Sequence, residues 1–420
     1  MNLQEELTWR GLIQDLSDPE LFTKVKPGDA CYVGFDPTAP SLQVGNLVQL
    51  LVAIHLSKTG IRPILLFGGA TGMIGDPGGR SSERNLQPLE VIAQNVKLQE
   101  QQARDLWRNA GVAITPEFVN NVDWTKDVSY LSFLRDIGKH FTVNYMLQKD
   151  SVKSRLAGEG ISYTEFSYML LQAFDFLHLY QTKGVRLQFG GSDQWGNLTA
   201  GLELIRRKIQ GDAYAFSVPL ITNSEGKKFG KSAGNAVWLD AKLTSPYKFH
   251  QFWLNVPDLD AIKLLKVFTF TQSEEIAALE ISMQQDPAKR EAQKFLADSL
   301  CTLVHGSAAT EDAKRCASVL FGGSFDGLSD AQLLDIFSEA PTTEIKRADI
   351  AGMDIVSLIG STVASSKGEG RRLIQGGGIY INNERVADPT AQLASTQLLT
   401  KGFIILRSGK KNYHLVKAVD

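Results

Sequence analysis

The residues with the most chemistry to offer fall in five short stretches. FDPTAPSLQVGN, Phe35 to Asn46, follows an apolar β-prone run with Thr38, Ser41 and an early-helix Gly45. That order presents hydroxyls, free backbone N–H groups and the positive end of a helix to a phosphate. GGATGMIGDPGGRSSER, Gly68 to Arg84, lets a backbone approach a ligand closely and adds Asp76 and two cations, Arg80 and Arg84. In TEFSYMLLQAFDFLHLY, Thr164 to Tyr180, the residues Tyr168, Gln172 and Asp175 recur at i, i+4 and i+7 and share one face of an otherwise apolar helix. Solvent faces usually carry Lys or Glu, so an aromatic, an amide and a lone carboxylate point to a pocket for something small, apolar and hydrogen-bonding. LQFGGSDQWGN, Leu187 to Asn197, ends a strand pattern with Asp193 and Gln194 at its tip, where a carboxylate commonly takes ribose hydroxyls. SEGKKFGKSAGN, Ser224 to Asn235, sets Lys228 and Lys231 in a glycine-flanked segment suited to a polyphosphate or simply to solvent.

Other chemistries lack their residues. GGSDQ is not a GxSxG elbow and has no histidine partner. The 6 histidines show no HxxxH or HExxH spacing, so they read as packing or surface residues, and no metal site is expected. Cys31 reads as a small buried strand residue, and 3 cysteines without CxxC spacing suit a reducing compartment.

These stretches need a scaffold of alternating strands and helices. CYVGF (31–35), PILLFGG (63–69), GVRLQFGG (184–191) and SVPLIT (217–222) read as strands; between the first two, a helix capped by Ser41 runs to Gly60. The expected fold is α/β, with a Rossmann-like parallel-sheet catalytic domain over 1–222 and a loop and connection over 223–246. A helical domain over 247–335, a linker over 336–347 and a small α+β module over 348–420 complete the chain.

The whole 420-residue chain carries 44 basic and 46 acidic residues, which excludes a wholly basic nucleic-acid coat protein and an acidic disordered chain. The charge is unevenly placed. Residues 360–420 hold nine basic and four acidic residues, net +5, leaving −7 for the rest, as expected of a small terminal module that meets a polyanion. The start, MNLQEELTWRGL, has no basic region followed by an apolar one, and no apolar run is long enough to span a bilayer, so a soluble, cytoplasmic protein is expected.

Taken together, the stretches resemble the bacterial-type tyrosyl-tRNA synthetases, which are class I aminoacyl-tRNA synthetases. YVGFDPTAPSLQVGN is similar to the family's ATP-binding signature, GGATGMIGDPGGRSSER and GGSDQWGN to its internal motifs, and KFGKS (Lys228 to Ser232) to its KMSKS-type signature. The resemblance implies ATP as a substrate with Mg2+ carried by the nucleotide, L-tyrosine and tRNA(Tyr) as the other substrates, and a homodimer. It assigns Tyr32 and Asp175 to a phenolic hydroxyl, Asp76, Tyr168 and Gln172 to an α-ammonium, and Gln194 to the neighbourhood of a carboxylate. Gly34, Asp36, Thr38, Gly45, Gly191, Asp193 and Lys231 would bind ATP, and Thr38, Gln43, Asn46, Arg80, Arg84, Lys228 and Lys231 would stabilise charge during catalysis. The helical domain would bind an anticodon and the terminal module would be an S4-like RNA-binding domain. Arg206, Arg207, Lys208, Lys367, Arg371, Arg372, Lys410 and Lys411 would meet tRNA.

One departure matters. The signature usually written HIGH reads Gln43-Val44-Gly45-Asn46 here, with amides at both histidine positions. An amide still donates a neutral hydrogen bond, so a weakened or retuned activity is expected. Two alternatives stay open: a synthetase-like paralogue acting as an RNA-binding or regulatory protein, and an enzyme for another aromatic amino acid.

Overall fold

The computed structural model describes residues 1–78, 85–158, 160–232, 235–400, 402–409 and 412–420, with the backbone alone at Lys231, Ser232, Asn235 and Ser395. Arg80, Arg84, Lys410 and Lys411 lie outside the described residues. Two compact units make up the chain: residues 1–244 with 252–304, and residues 245–251 with 305–420.

The first unit is built on a six-stranded sheet. Its strands are β1 (Asp15–Leu16), β2 (Ala30–Phe35), β3 (Arg62–Phe67), β4 (Glu117–Asn120), β5 (Val185–Gly191) and β6 (Tyr214–Val218), in the order β1-β6-β5-β2-β3-β4. All neighbours are parallel except β1, which pairs antiparallel to β6. The order runs outward from β2 to β3 and β4, then returns to β5 and β6 on its other side, so the crevice between β2 and β5 is the topological switch point. Tyr32 stands there, paired with Ile64 on β3 and Gln188 on β5.

Parallel neighbours need crossover helices, and the Val44–Lys58 helix shows what that burial demands. Eleven of its residues are buried, and in its first two turns only Gly45, Asn46 and Gln49 are not. Gln43, half-buried, is its N-cap; Ser41 is not. Ser41 is buried two residues earlier, donating to the Leu42 carbonyl at 2.8 Å and accepting from the Asp240 N–H at 3.1 Å. β6 also departs from the sequence reading, covering Tyr214–Val218 and stopping before Pro219, which has no N–H to continue the ladder. The Tyr163–Lys183 helix starts at Ser162, whose hydroxyl accepts from the Glu165 N–H at 3.2 Å. A buried Arg155–Glu165 ion pair at 2.8 Å ties that first turn to the preceding segment.

β7 (Lys231–Ser232) and β8 (Asn235–Ala236) form a short antiparallel pair in the first unit. The second unit contains a five-stranded sheet: β9 (Thr342–Lys346), β10 (Ile379–Ile381), β11 (Glu384–Arg385), β12 (Phe403–Ser408) and β13 (Asn412–Val419), ordered β11-β10-β12-β13-β9. Both faces of β12 are covered. Ile404 and Leu406 pack with Ile355, Ile359 and Ile374 of two helices, while Phe403 and Ile405 pack with Val319, Leu333 and Phe337. The span expected as a linker, 336–347, therefore contains β9, an edge strand parallel to β13 whose TTEIK sequence is half to fully exposed. The helical span 247–335 is likewise divided between the two units.

Arg10 is the clearest single anchor in the first unit. Only 2% exposed, it donates to the carbonyls of Lys266, Thr269 and Thr271 at 3.0, 2.8 and 2.9 Å, and to Glu6 at 3.1 Å. Truncating it strands those carbonyls, so Arg10→Ala is expected to lower the unfolding free energy by about 2–4 kcal/mol in urea titration. A loss below about 0.5 kcal/mol, the level of an ordinary surface change, would contradict this.

Candidate active site

The carboxyl ends of β2, β3, β4 and β5 bring together Tyr32, Asp36, Asp76, Tyr168, Asp175 and Gln194. Asp175, 2% exposed on the Tyr163–Lys183 helix, accepts from Trp124 Nε1 at 2.8 Å and from Asn121 Nδ2 at 2.9 Å. Asn121 also donates to Thr71 Oγ1 at 3.0 Å and accepts the Ala70 N–H at 2.7 Å. Thr71 and Tyr168 in turn donate to the two oxygens of Asp36, each at 2.9 Å. Tyr32 is 2% exposed, and its hydroxyl has no hydrogen-bond partner among the described residues. A buried hydroxyl left unpaired is costly, which argues for a ligand that completes it.

Burial pushes the Asp175 carboxyl up to about 7, opposed by its hydrogen bonds from Asn121 and Trp124. Burial likewise pushes the phenols of Tyr32 and Tyr168 well up, reinforced at Tyr32 by Asp175 and at Tyr168 by Asp36 and Asp76. Both phenols therefore stay protonated. A hydroxyl on a ligand could accept from Tyr32 and donate to Asp175.

The neighbouring region suits ammonium and nucleotide groups. Asp76, 6% exposed, accepts from the Gly78 N–H at 2.8 Å and from the Gln194 amide, which joins the β3 loop to the β5 loop. Gln194 is oriented by Asn197, whose Nδ2 donates to its Oε1 at 3.0 Å. At Gly191 a Cβ would lie 2.5 Å from Asp193 Oδ1, so a side chain there would displace the Asp193 carboxylate. Burial raises the Asp193 carboxyl, as does the Asp76 charge, while the Lys228 cation opposes them. Lys228 itself is exposed.

The KFGKS segment is fixed at its base against the QVGN helix start. Gly230 packs against that start, where a Cβ would make ordinary contact at 3.4 Å from Val44 Cβ and 3.6 Å from Gly45 N; its φ of +99° is what calls for glycine. Val237 bridges the two, its N–H bonding Gly230 O at 3.0 Å and its carbonyl accepting the Val44 N–H at 3.1 Å. Beside it, the Phe229 ring packs with Phe252, Trp253 and Phe268. Asn46 Oδ1 accepts the Gln43 backbone N–H at 3.0 Å and thereby caps its own helix.

The family described as class I tRNA synthetases (W and Y) matches residues 28–322, and the C-terminal domain of tyrosine–tRNA ligases matches residues 332–416. This chain is a class I tRNA synthetase of the W and Y family. A tyrosine–tRNA ligase of Opitutus terrae is 47% identical over the whole of both chains, and one of Bacillus caldotenax is 46% identical over 99% of this chain and all of its own. Among solved structures, a C-terminally truncated mitochondrial tyrosyl-tRNA synthetase of Aspergillus nidulans aligns with TM-score 0.66 and 32% identity, covering 74% of this chain and 92% of its own.

Asp36, expected at the nucleotide, accepts from the hydroxyls of Tyr168 and Thr71. Gly34 and Gly45 are exposed, Gln172 is half-buried, and Thr38 is exposed on the loop after β2. Arg206 and Arg207 are exposed but pair with Glu203, and Arg207 and Lys208 also donate to the carbonyls of His140 and Asp136. Lys367, Arg371 and Arg372 are exposed on the Lys367–Gln375 helix of the second unit. Sequence reasoning missed Asn121, Trp124 and Thr71. The one signal available was position: NNVDW follows β4 at the ligand-binding edge of the sheet.

A raised carboxyl penalises the ligand-free fold when ionised. The folded protein binds the Asp175 proton more tightly than the unfolded chain does, so this contribution is present below the ordinary value of 3.8 and lost as pH rises through about 7. Thermal unfolding should therefore show wild type losing stability relative to Asp175→Asn between about pH 5 and about pH 8, by on the order of a few kcal/mol. A pH-independent difference would contradict the burial argument.

Proposed function

We propose that the chain is a tyrosine–tRNA ligase that converts L-tyrosine and ATP to tyrosyl-adenylate and pyrophosphate, then transfers tyrosine to the terminal ribose of tRNA(Tyr). The observation that carries this reading is the buried Asp175 carboxylate facing a Tyr32 hydroxyl without a partner among the described residues. Binding phenylalanine would leave the Tyr32 hydroxyl unpaired and give Asp175 no donor beyond Asn121 and Trp124, so the pair favours a para-hydroxylated ring.

The chemistry needs no activated protein nucleophile. Tyrosine's carboxylate is ionised at neutral pH and attacks the α-phosphorus; the new O–P bond forms as the bond to pyrophosphate breaks. Asp76, Tyr168 and Gln172 hold the α-ammonium, and Asp193 and Gln194 the ribose and carboxylate region. Lys228 and Lys231 approach the departing pyrophosphate from the loop, joined by Arg80 and Arg84. Gln43 and Asn46 donate from the helix start, where the dipole also favours a phosphate. In the second step a ribose hydroxyl attacks the activated carbonyl and AMP leaves. ATP enters with its Mg2+ as substrate. Among the described residues, no group of three or more His, Cys, Asp and Glu is arranged to hold a metal.

Arg206, Arg207 and Lys208 serve the acceptor end of tRNA, and Lys367, Arg371, Arg372, Lys410 and Lys411 serve its body through backbone phosphates. The protein works in the cytoplasm as a homodimer. Supporting the dimer, Tyr130, Leu131, Leu134, Val143, Leu147, Leu156 and Tyr163 are 37–76% exposed within one stretch of the first unit. Identity of 46–47% to tyrosine–tRNA ligases over essentially the whole chain gives the regulatory-paralogue reading no support.

Tyrosine-dependent exchange of pyrophosphate into ATP tests the first step. Lys228→Ala is expected to lower the exchange kcat by about 10²-fold or more. Asn46→Asp keeps the helix cap but replaces the amide donor with a negative charge; it should hold Tm while lowering kcat/KM for ATP by at least about tenfold. No tyrosine-dependent exchange in wild type would end the proposal. Sedimentation should give twice the chain mass, with Leu131→Asp shifting the protein towards monomer; a wild-type monomer at micromolar concentration would refute the dimer.

A further inference from the structure

The two donors that orient Asp175 are themselves held in different ways. Asn121 is fixed through polar contacts, giving its amide hydrogens to Asp175 and Thr71 while its oxygen takes the Ala70 N–H. Trp124 has only one polar atom, Nε1, and it is committed to Asp175 at 2.8 Å. A single hydrogen bond fixes where the indole nitrogen points but leaves the ring free to tilt about that contact. Besides the apolar core it packs on, the ring meets His178. Its imidazole stacks on the indole with centroids 4.5 Å apart and planes 12° from parallel.

His178 follows Asp175 by three residues on the Tyr163–Lys183 helix, so the stacked ring and the carboxylate rise from the same rigid element. It is half-buried, and Phe174 packs edge-on against it at 6.4 Å and 61°. Phe133 meets Phe174 at 6.0 Å and 90°. Burial lowers the imidazole below its ordinary value, followed by the Lys183 charge, which keeps the ring neutral near pH 7. The stack is therefore one of two neutral aromatic planes, the arrangement that fixes relative orientation through contact area and quadrupole.

We propose that His178 is a positioning residue for tyrosine specificity: by stacking on Trp124 it aims Nε1 at Asp175 and so orients the carboxylate toward the substrate hydroxyl. This rests on the assignment of Asp175 to the phenol. His178 touches no substrate in this scheme and takes no proton. It does for Trp124 what Thr71 and the Ala70 amide do for Asn121.

The test uses the full-length protein in the pyrophosphate-exchange assay, with KM and kcat measured for tyrosine, phenylalanine and ATP. His178→Ala is expected to raise KM for tyrosine by about three- to tenfold, leave KM for ATP and kcat within about twofold, and narrow the tyrosine-to-phenylalanine ratio of kcat/KM. His178→Phe supplies a flat ring of similar footprint and should recover most of that ratio. In a Trp124→Phe background, which lacks the indole N–H, His178→Ala should have no further effect on the ratio, because the group it positions is already gone. A loss that adds fully to that of Trp124→Phe, or a His178→Ala enzyme with wild-type KM and ratio, would overturn the proposal. So would a His178→Phe enzyme that folds with wild-type Tm yet behaves like the alanine variant. If Asp175→Asn and Trp124→Phe also leave the ratio unchanged, the phenol assignment falls and takes this inference with it; if they narrow it while His178→Ala does not, only the inference falls.

Discussion

A buried carboxylate held, among the described residues, by neutral donors is the constraint on which this catalytic unit turns. Asp175 accepts from an amide and an indole, and neither is charged. An arginine or lysine in their place would neutralise the carboxylate and hold it as an ion pair, leaving little reason to bind a substrate hydroxyl. Neutral donors orient it while leaving its remaining lone pairs in need of a partner. The cost is a carboxyl raised to about 7 and a fold that tolerates it without ligand. Such tolerance needs a rigid surround, which β2, β4, the turn at Thr71 and the Tyr163–Lys183 helix supply at one end of the sheet.

The distribution of charge then separates two tasks. Asp76 and Asp175 are buried, Asp36 is tied to hydroxyls, and Asp193 is raised by burial, so the interior is acidic and suited to an ammonium and polar hydroxyls. Positive charge comes from outside, on exposed Lys228 beside the helix start. Histidine is absent from that start, yet the backbone geometry persists because Asn46 caps the turn with its own oxygen. A helix N-terminus already presents unpaired N–H groups, and amides add neutral donors to them.

Much of the first unit was legible because its signals are local. The β2 and β3 runs, the Gly60 helix end and the i, i+4, i+7 stripe of Tyr168, Gln172 and Asp175 follow from periodicity and breakers. Partners contributed from distant segments were not. Asn121 and Trp124 come from a different crossover and carry no spacing signature, and the histidines read as bland packing residues although one of them stacks on Trp124. β9 escaped because an exposed edge strand has no alternation to betray it; only β13, seventy residues later in the chain, makes TTEIK a strand. Ser41 misled because a serine before an apolar run is a common cap, whereas burial against Gln102 and Asp240 claimed its hydroxyl first.

Carbon-13 NMR of aspartate side-chain carboxyls, titrated with and without L-tyrosine and assigned with Asp175→Asn, measures the central group directly. One carboxyl in the free enzyme is expected to titrate near 7, and bound tyrosine to pull it down by favouring the ionised form, while phenylalanine leaves it in place. A resonance for Asp175 that titrates in the ordinary carboxylate range and ignores tyrosine would contradict it.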